Sequence, residues 1–157
     1  MSIYKIIEEK DFKSYQEIIE NINIDLLNES NQNLLHFAIS RGNIEVSHDL
    51  IRRGININAQ DFKGQTPLHF AAGYNNFVIA KDLVDNGAII DIRDNYGNTA
   101  LWTAVFNGQR IKYYDVILLL VKSNANVNNV NNANKTPLDF AKQVGYDDLI
   151  QILENKK

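Results

Sequence analysis

Cysteine is missing from the chain, so a disulfide framework, a thiolate nucleophile and a sulfur-rich metal site are all excluded. Proline is nearly as scarce, with two residues, Pro67 and Pro137, each following a threonine. No excess of positive charge is present: 16 Lys plus Arg stand against 19 Asp plus Glu, for a formal net charge of -3. Neither a polybasic footprint nor an acidic tail results, which argues against nucleic acid or an anionic membrane as the partner. Long apolar runs are absent too. The longest aliphatic stretch, Val116 to Val121, falls far short of the roughly 20 residues that cross a bilayer. At the N-terminus Glu8, Glu9 and Asp11 interrupt what a secretory signal would keep apolar, so a soluble cytoplasmic protein is the expectation. The motifs G-x-x-x-x-G-K-[ST], G-x-S-x-G and H-E-x-x-H do not occur.

What the sequence does contain is repetition. The 157 residues, 45% of them hydrophobic, suit one folding unit. Within it, "NQNLLHFAISRGNIEVSHDLIRRGININAQD" from Asn31 and "GQTPLHFAAGYNNFVIAKDLVDNGA" from Gly64 carry the same order of residue types at an offset of 33. Leu35 falls on Leu68, His36 on His69, Phe37 on Phe70 and Gly54 on Gly87. "DNYGNTALWTAVFNGQ" follows at the same offset, with Trp102 in place of the histidine, and "NNANKTPLDFAKQVGYDDLIQILE" comes 37 residues later. The third clear unit therefore carries four extra residues. "KDFKSYQEIIENINID" resembles the back half of a unit.

A period between 20 and 50 residues indicates a solenoid, in which each unit buries its apolar face only by stacking on the next. Each unit reads as two short helices and a turn. Thr66 caps the first helix, Pro67 fits its first turn, and Leu68, Ala71 and Ala72 share one apolar face. Gly73 to Asn76 breaks the helix; Val78, Ile79, Leu83 and Val84 then recur at helical spacing until Asn86-Gly87 stops the second one. "AIIDIRDNYG" reads as an extended, hairpin-like projection. The Asn-rich stretch from Ser123 to Lys135 aligns with it, placing Asn124 and Ala125 on Gly87 and Ala88, and is read as a repeat loop rather than disorder.

The "GQTPLHFAA" motif with its 33-residue period resembles the ankyrin repeat over nearly the whole chain, Ile3 to Leu153. The resemblance implies an all-α solenoid of stacked helix-turn-helix units with projecting β-turn fingers and a concave binding surface. It divides the chain into a capping unit at about 1–28, repeats at about 29–60, 61–93 and 94–130, and a capping repeat at 131–157. Departures occur where Asn33-Leu34 and Thr99-Ala100 replace Thr-Pro, where Trp102 and Asp139 replace the histidine, and where Asn75 stands for Gly42, Gly108 and Gly145.

Two histidines at one place in the repeat argue for architecture, with each imidazole bonded near its own helix turn and loop. His48 is expected at the surface without a partner beyond its helix. Asp61, Asp91 and Asp94 are the carboxylates that an enzyme would use, but they fall in the fingers, where Asp caps turns. No catalytic residue, metal ligand or cofactor is expected.

A protein-protein contact is. Phe62, Lys63, Tyr74, Asn95, Tyr96, Trp102 and Phe106 are free of the repeat's demands, and the aromatics among them are expected to cluster on the concave face. Phe62 and Tyr96 packing back on the finger stack is the alternative. The insertion adds Arg110, Lys112 and Tyr113 as a contact patch, with packing of Tyr113 and Tyr114 on a neighbouring helix left open. Glu29, Asp61, Asp94 and Asp115 would offer charge to a basic target. Array composition and the Ile-, Asn- and Lys-rich style resemble small bacterial ankyrin proteins found beside toxins. An immunity protein neutralising a co-encoded toxin or enzyme is the favoured use, against a cellular adaptor or a host-directed effector. A monomer is expected when unbound.

Overall fold

Side-chain oxygens start most of the helices. The computed structural model describes residues 2–108 and 114–155, and ten helices follow one another there. They are α1 (Ile3–Glu9), α2 (Phe12–Ile19), α3 (Leu34–Ser40), α4 (Ile44–Arg52), α5 (Pro67–Gly73), α6 (Phe77–Asp85), α7 (Ala100–Gly108), α8 (Asp115–Lys122), α9 (Pro137–Val144) and α10 (Asp147–Glu154). Asn33, Thr66 and Thr136 cap α3, α5 and α9, while Asp11, Asn43 and Asn76 cap α2, α4 and α6. Each satisfies a backbone N–H that the first turn leaves without a partner. Pro67 and Pro137 sit where a missing N–H costs nothing. No helix of the described residues is long and apolar enough to cross a membrane.

The helices form two rows. α1, α3, α5, α7 and α9 pack in succession, and α2, α4, α6 and α8 pack in succession behind them. The repeat period explains how: Leu35, Leu68 and Leu101 are buried in one layer, and Ala38, Ala71, Ala104 and Ala141 in another. Alanine at that place lets neighbouring helix backbones approach closely, and each buried leucine contributes about 1.5–3 kcal/mol. Leu50, Leu83 and Leu120 repeat the pattern in the second row. This is the helical repeat solenoid that the sequence implies.

Four details differ from the sequence reading. The first unit has a front helix as well as a back one: α1 ends on Lys10 in the left-handed conformation at φ 56, so no glycine marks its end. Val78 is 48% exposed rather than part of the buried stripe, because the cap at Asn76 turns Phe77 and Val78 outward and Ile79, Ala80 and Leu83 inward. Gly108 is not a turn residue but the last residue of α7; a Cβ there would stand 3.2 Å from Ile117 Cδ1, so its smallness lets α7 pack against α8. The projecting segments are turns, and no strand occurs among the described residues.

The Asn-rich segment is an ordered part of the last repeat loop. Asn124 is left-handed at φ 66, Ala125 is buried and Val127 packs against the core.

Candidate functional site

Each inter-unit turn is built on one acidic or amide side chain. Asp61 Oδ1 accepts from the backbone N–H groups of Lys63 (2.8 Å) and Gln65 (2.9 Å), and Asp94 Oδ1 accepts from those of Tyr96 (2.9 Å) and Asn98 (2.8 Å). Asn28 and Asn131 do the same at the two ends. The turns are then laced to one another. Phe62 N–H donates to Ser30 C=O, Asn95 N–H to Lys63 C=O and Asn132 N–H to Tyr96 C=O. Asn95 adds its carboxamide, donating to Phe62 C=O at 2.8 Å.

These contacts correct one expectation and bear out another. Asp61 and Asp94 are buried, at 8% and 7% exposure, so they do not offer charge to a partner. Each is held by its own turn's N–H groups, and Asp91 accepts from Asn126 N–H, so the three carboxylates cap turns or tie neighbouring loops, as expected of Asp in the fingers. Asn95, exposed at its turn tip, also serves as a strut between turns.

The histidines tie one unit to the next. His69 Nδ1 accepts from Thr66 N–H at 3.1 Å, which leaves the proton on Nε2, 3.1 Å from Asn98 C=O in the following turn. His36 Nε2 lies 3.0 Å from Gln65 C=O in the same way. The bond therefore reaches beyond the histidine's own loop. Burial holds both rings below the ordinary histidine range, because a charged imidazole there would lose its hydration. His48 also has a partner, contrary to expectation: its Nδ1 pairs with Asp82 Oδ2 on the neighbouring α6.

Between the turns and the row of first helices lies a groove. One part, about 660 Å³, is lined by Tyr96, Asn98, Trp102, Phe106 and Asn132 among others. Its neighbour, about 470 Å³, is lined by Lys63, Phe70 and Tyr74 among others. Gln65, Thr103 and Asn107 line both. Trp102 and Phe106 stack at 5.7 Å, and Phe140 stands 5.3 Å from each. Tyr74 lies 6.5 Å from Phe70.

The structure thus brings together Trp102, Phe106 and Tyr96, with Tyr74 and Lys63 along the adjoining part. Phe62 is not among the groove residues. It and Tyr96 are 68% and 64% exposed at the turn tips, so they do not pack back on the stack. Phe140 completes the aromatic trio and was missed, although it repeats the place of Phe37 and Phe70 on the first helices. Arg110, Lys112 and Tyr113 lie outside the described residues. Tyr114 packs against the core at the start of α8.

One comparison places the chain among known proteins. The family model described as ankyrin repeats (3 copies) matches residues 4–94 and 35–130. A comparison with curated proteins finds no match.

Proposed function

We propose that this chain, which belongs to the ankyrin-repeat family and is therefore a protein-protein interaction module, binds its target in the groove between the turns and the first helices. The observation that supports this place is the open aromatic trio. Phe106 is 48% exposed while stacked on Trp102, and Tyr96 rises beside it with polar side chains around. Large aromatics with a polar rim are the composition of interface hot spots. In this reading Phe62, Lys63 and Tyr74 widen the contact, and Arg110, Lys112 and Tyr113 of the insertion are proposed as a further contact patch. The unbound chain is a monomer.

The use we favour is inhibition: a co-encoded toxin or enzyme is occupied and silenced. Its support is the Ile-, Asn- and Lys-rich style of the chain and the inserted segment. An adaptor or host-directed effector would use the same groove, because the fold serves all three.

The test is co-purification from the native cell with the intact chain and with a Tyr96→Ala/Phe106→Ala variant. A partner retained by the first and bound at least about tenfold more weakly by the second is the expected result, since a true hot spot contributes about 2 kcal/mol or more. Equal retention rejects the groove. If the partner is an enzyme or toxin, its activity should fall on titration with the intact chain; an unaltered activity points to the adaptor instead.

A further inference from the structure

Phe37, Phe70, Thr103 and Phe140 occupy the fourth position of α3, α5, α7 and α9. Three of the four are phenylalanine, so Thr103 leaves a gap in an aromatic row. The surroundings keep that gap open. Gly73 faces it, with the place of its absent Cβ 3.5 Å from both Thr103 Cγ2 and Asn107 Nδ2. Phe70 and Tyr74 stand on one side, and Trp102 with Phe106 on the other. Thr103 is also where the two parts of the groove meet.

The polar groups at the gap are of one kind. Gln65 and Asn107 are half-buried, and neither carboxamide has a hydrogen-bond partner among the described residues. Each offers a donor and an acceptor, the complement of a peptide unit. Ionised groups are few: Asp94 is engaged by its own turn, His69 is held neutral by burial, and Lys63, exposed at its turn, is the one cation among the described residues lining the part that Thr103 shares with Phe70 and Tyr74. A basic side chain entering here would lose hydration and find no free carboxylate among the described residues lining the groove, and an acidic one would meet Lys63 only at the exposed turn.

We infer that the Thr103 gap seats one bulky apolar side chain of an extended, uncharged segment of the partner, whose backbone is held by the carboxamides of Gln65 and Asn107. The inference rests on the protein-binding reading and specifies what the groove takes. An extended chain brings unpaired N–H and C=O groups, and burying them requires partners of this type.

Short random peptides displayed on phage, selected against the intact chain, test it. Enriched sequences should carry Leu, Met, Phe or Trp among uncharged residues. The synthetic peptide should bind the Thr103→Phe variant at least about tenfold more weakly, because phenylalanine fills the seat. That variant restores the residue found at the same place in three other helices, and an undiminished thermal melt confirms its fold. Gln65→Ala/Asn107→Ala should weaken binding several-fold without changing which anchor residue is selected. A charged consensus, an affinity indifferent to Thr103→Phe, or no enriched sequence at all overturns the inference. If the native partner still co-purifies and still depends on Tyr96 and Phe106 in that case, the protein-binding reading stands alone.

Discussion

His69 on α5 donates from Nε2 to the carbonyl of Asn98, 29 positions away and one unit further along. The same ring accepts from Thr66 N–H at the start of its own helix, completing a reciprocal cap. Replacing His69 with alanine removes the cap, the bond between units and a buried ring together. A loss of about 2–4 kcal/mol is expected in urea titration. A loss below about 0.5 kcal/mol would show that the ring is only filler.

Acid should weaken the fold once the pH falls below the ordinary histidine value. His36 and His69 bind protons less readily when folded than their ordinary value near 6.5, so below that pH the unfolded chain takes up more protons. Stability is then fully present above about pH 6.5 and falls as pH drops toward the folded values. Melting temperature should be flat between about pH 7 and 8 and decline from about 6.5 to 5. A His36→Gln/His69→Gln variant should lose that decline, whatever its stability at neutral pH.

The two rings should not titrate alike. His36 Nδ1 lies 2.7 Å from Asn33 Oδ1, whereas His69 Nδ1 faces a donor, Thr66 N–H. The Asn33 amide cannot turn over, because its Nδ2 donates to Asn56 C=O and its Oδ1 accepts from His36 N–H. Both nitrogens of His36 therefore face acceptors, and a neutral ring can serve only one. NMR titration should show His36 protonating at higher pH than His69, and Asn33→Thr should lower it. An unchanged His36 titration in that variant would refute the account.

Glycine at the turns should matter unequally. A Cβ on Gly64 would meet Asn95 Oδ1 at 2.6 Å and Asn95 N at 2.8 Å, while one on Gly87 would meet nothing within 4 Å. Both residues are left-handed, at φ +74 and +85. Gly87→Ala should cost about 1–2 kcal/mol from backbone strain, and Gly64→Ala clearly more because the turns must part. Thermal denaturation of the two variants side by side checks the order.

Local chemistry made the solenoid legible. Thr66-Pro67, Asn86-Gly87 and the leucine and alanine positions act within one unit, and a sequence shows such signals directly. What escaped reading depends on the unit next door. Asn95 looks like a free polar group until the turns are laced together, and His48 looks unpaired until Asp82 comes beside it from α6. Lys10 hid the end of α1 by taking a left-handed conformation that sequence reserves for glycine or asparagine. Phe140 was a different omission, since its period was available and only its neighbours Trp102 and Phe106 give it meaning.

Trp102 is the chain's single tryptophan, and it spans a seam: it stacks on Phe106 of its own helix and touches Phe140 of the next, while its Nε1 donates to Lys135 C=O at 3.3 Å. Its fluorescence consequently reads the docking of the C-terminal helix pair alone, whereas far-ultraviolet dichroism reads all helices at once. In a nearest-neighbour stack these optical signals can part company as an end unit lifts away. The molecule carries its own gauge for that event, placed at the groove where a partner would press on it.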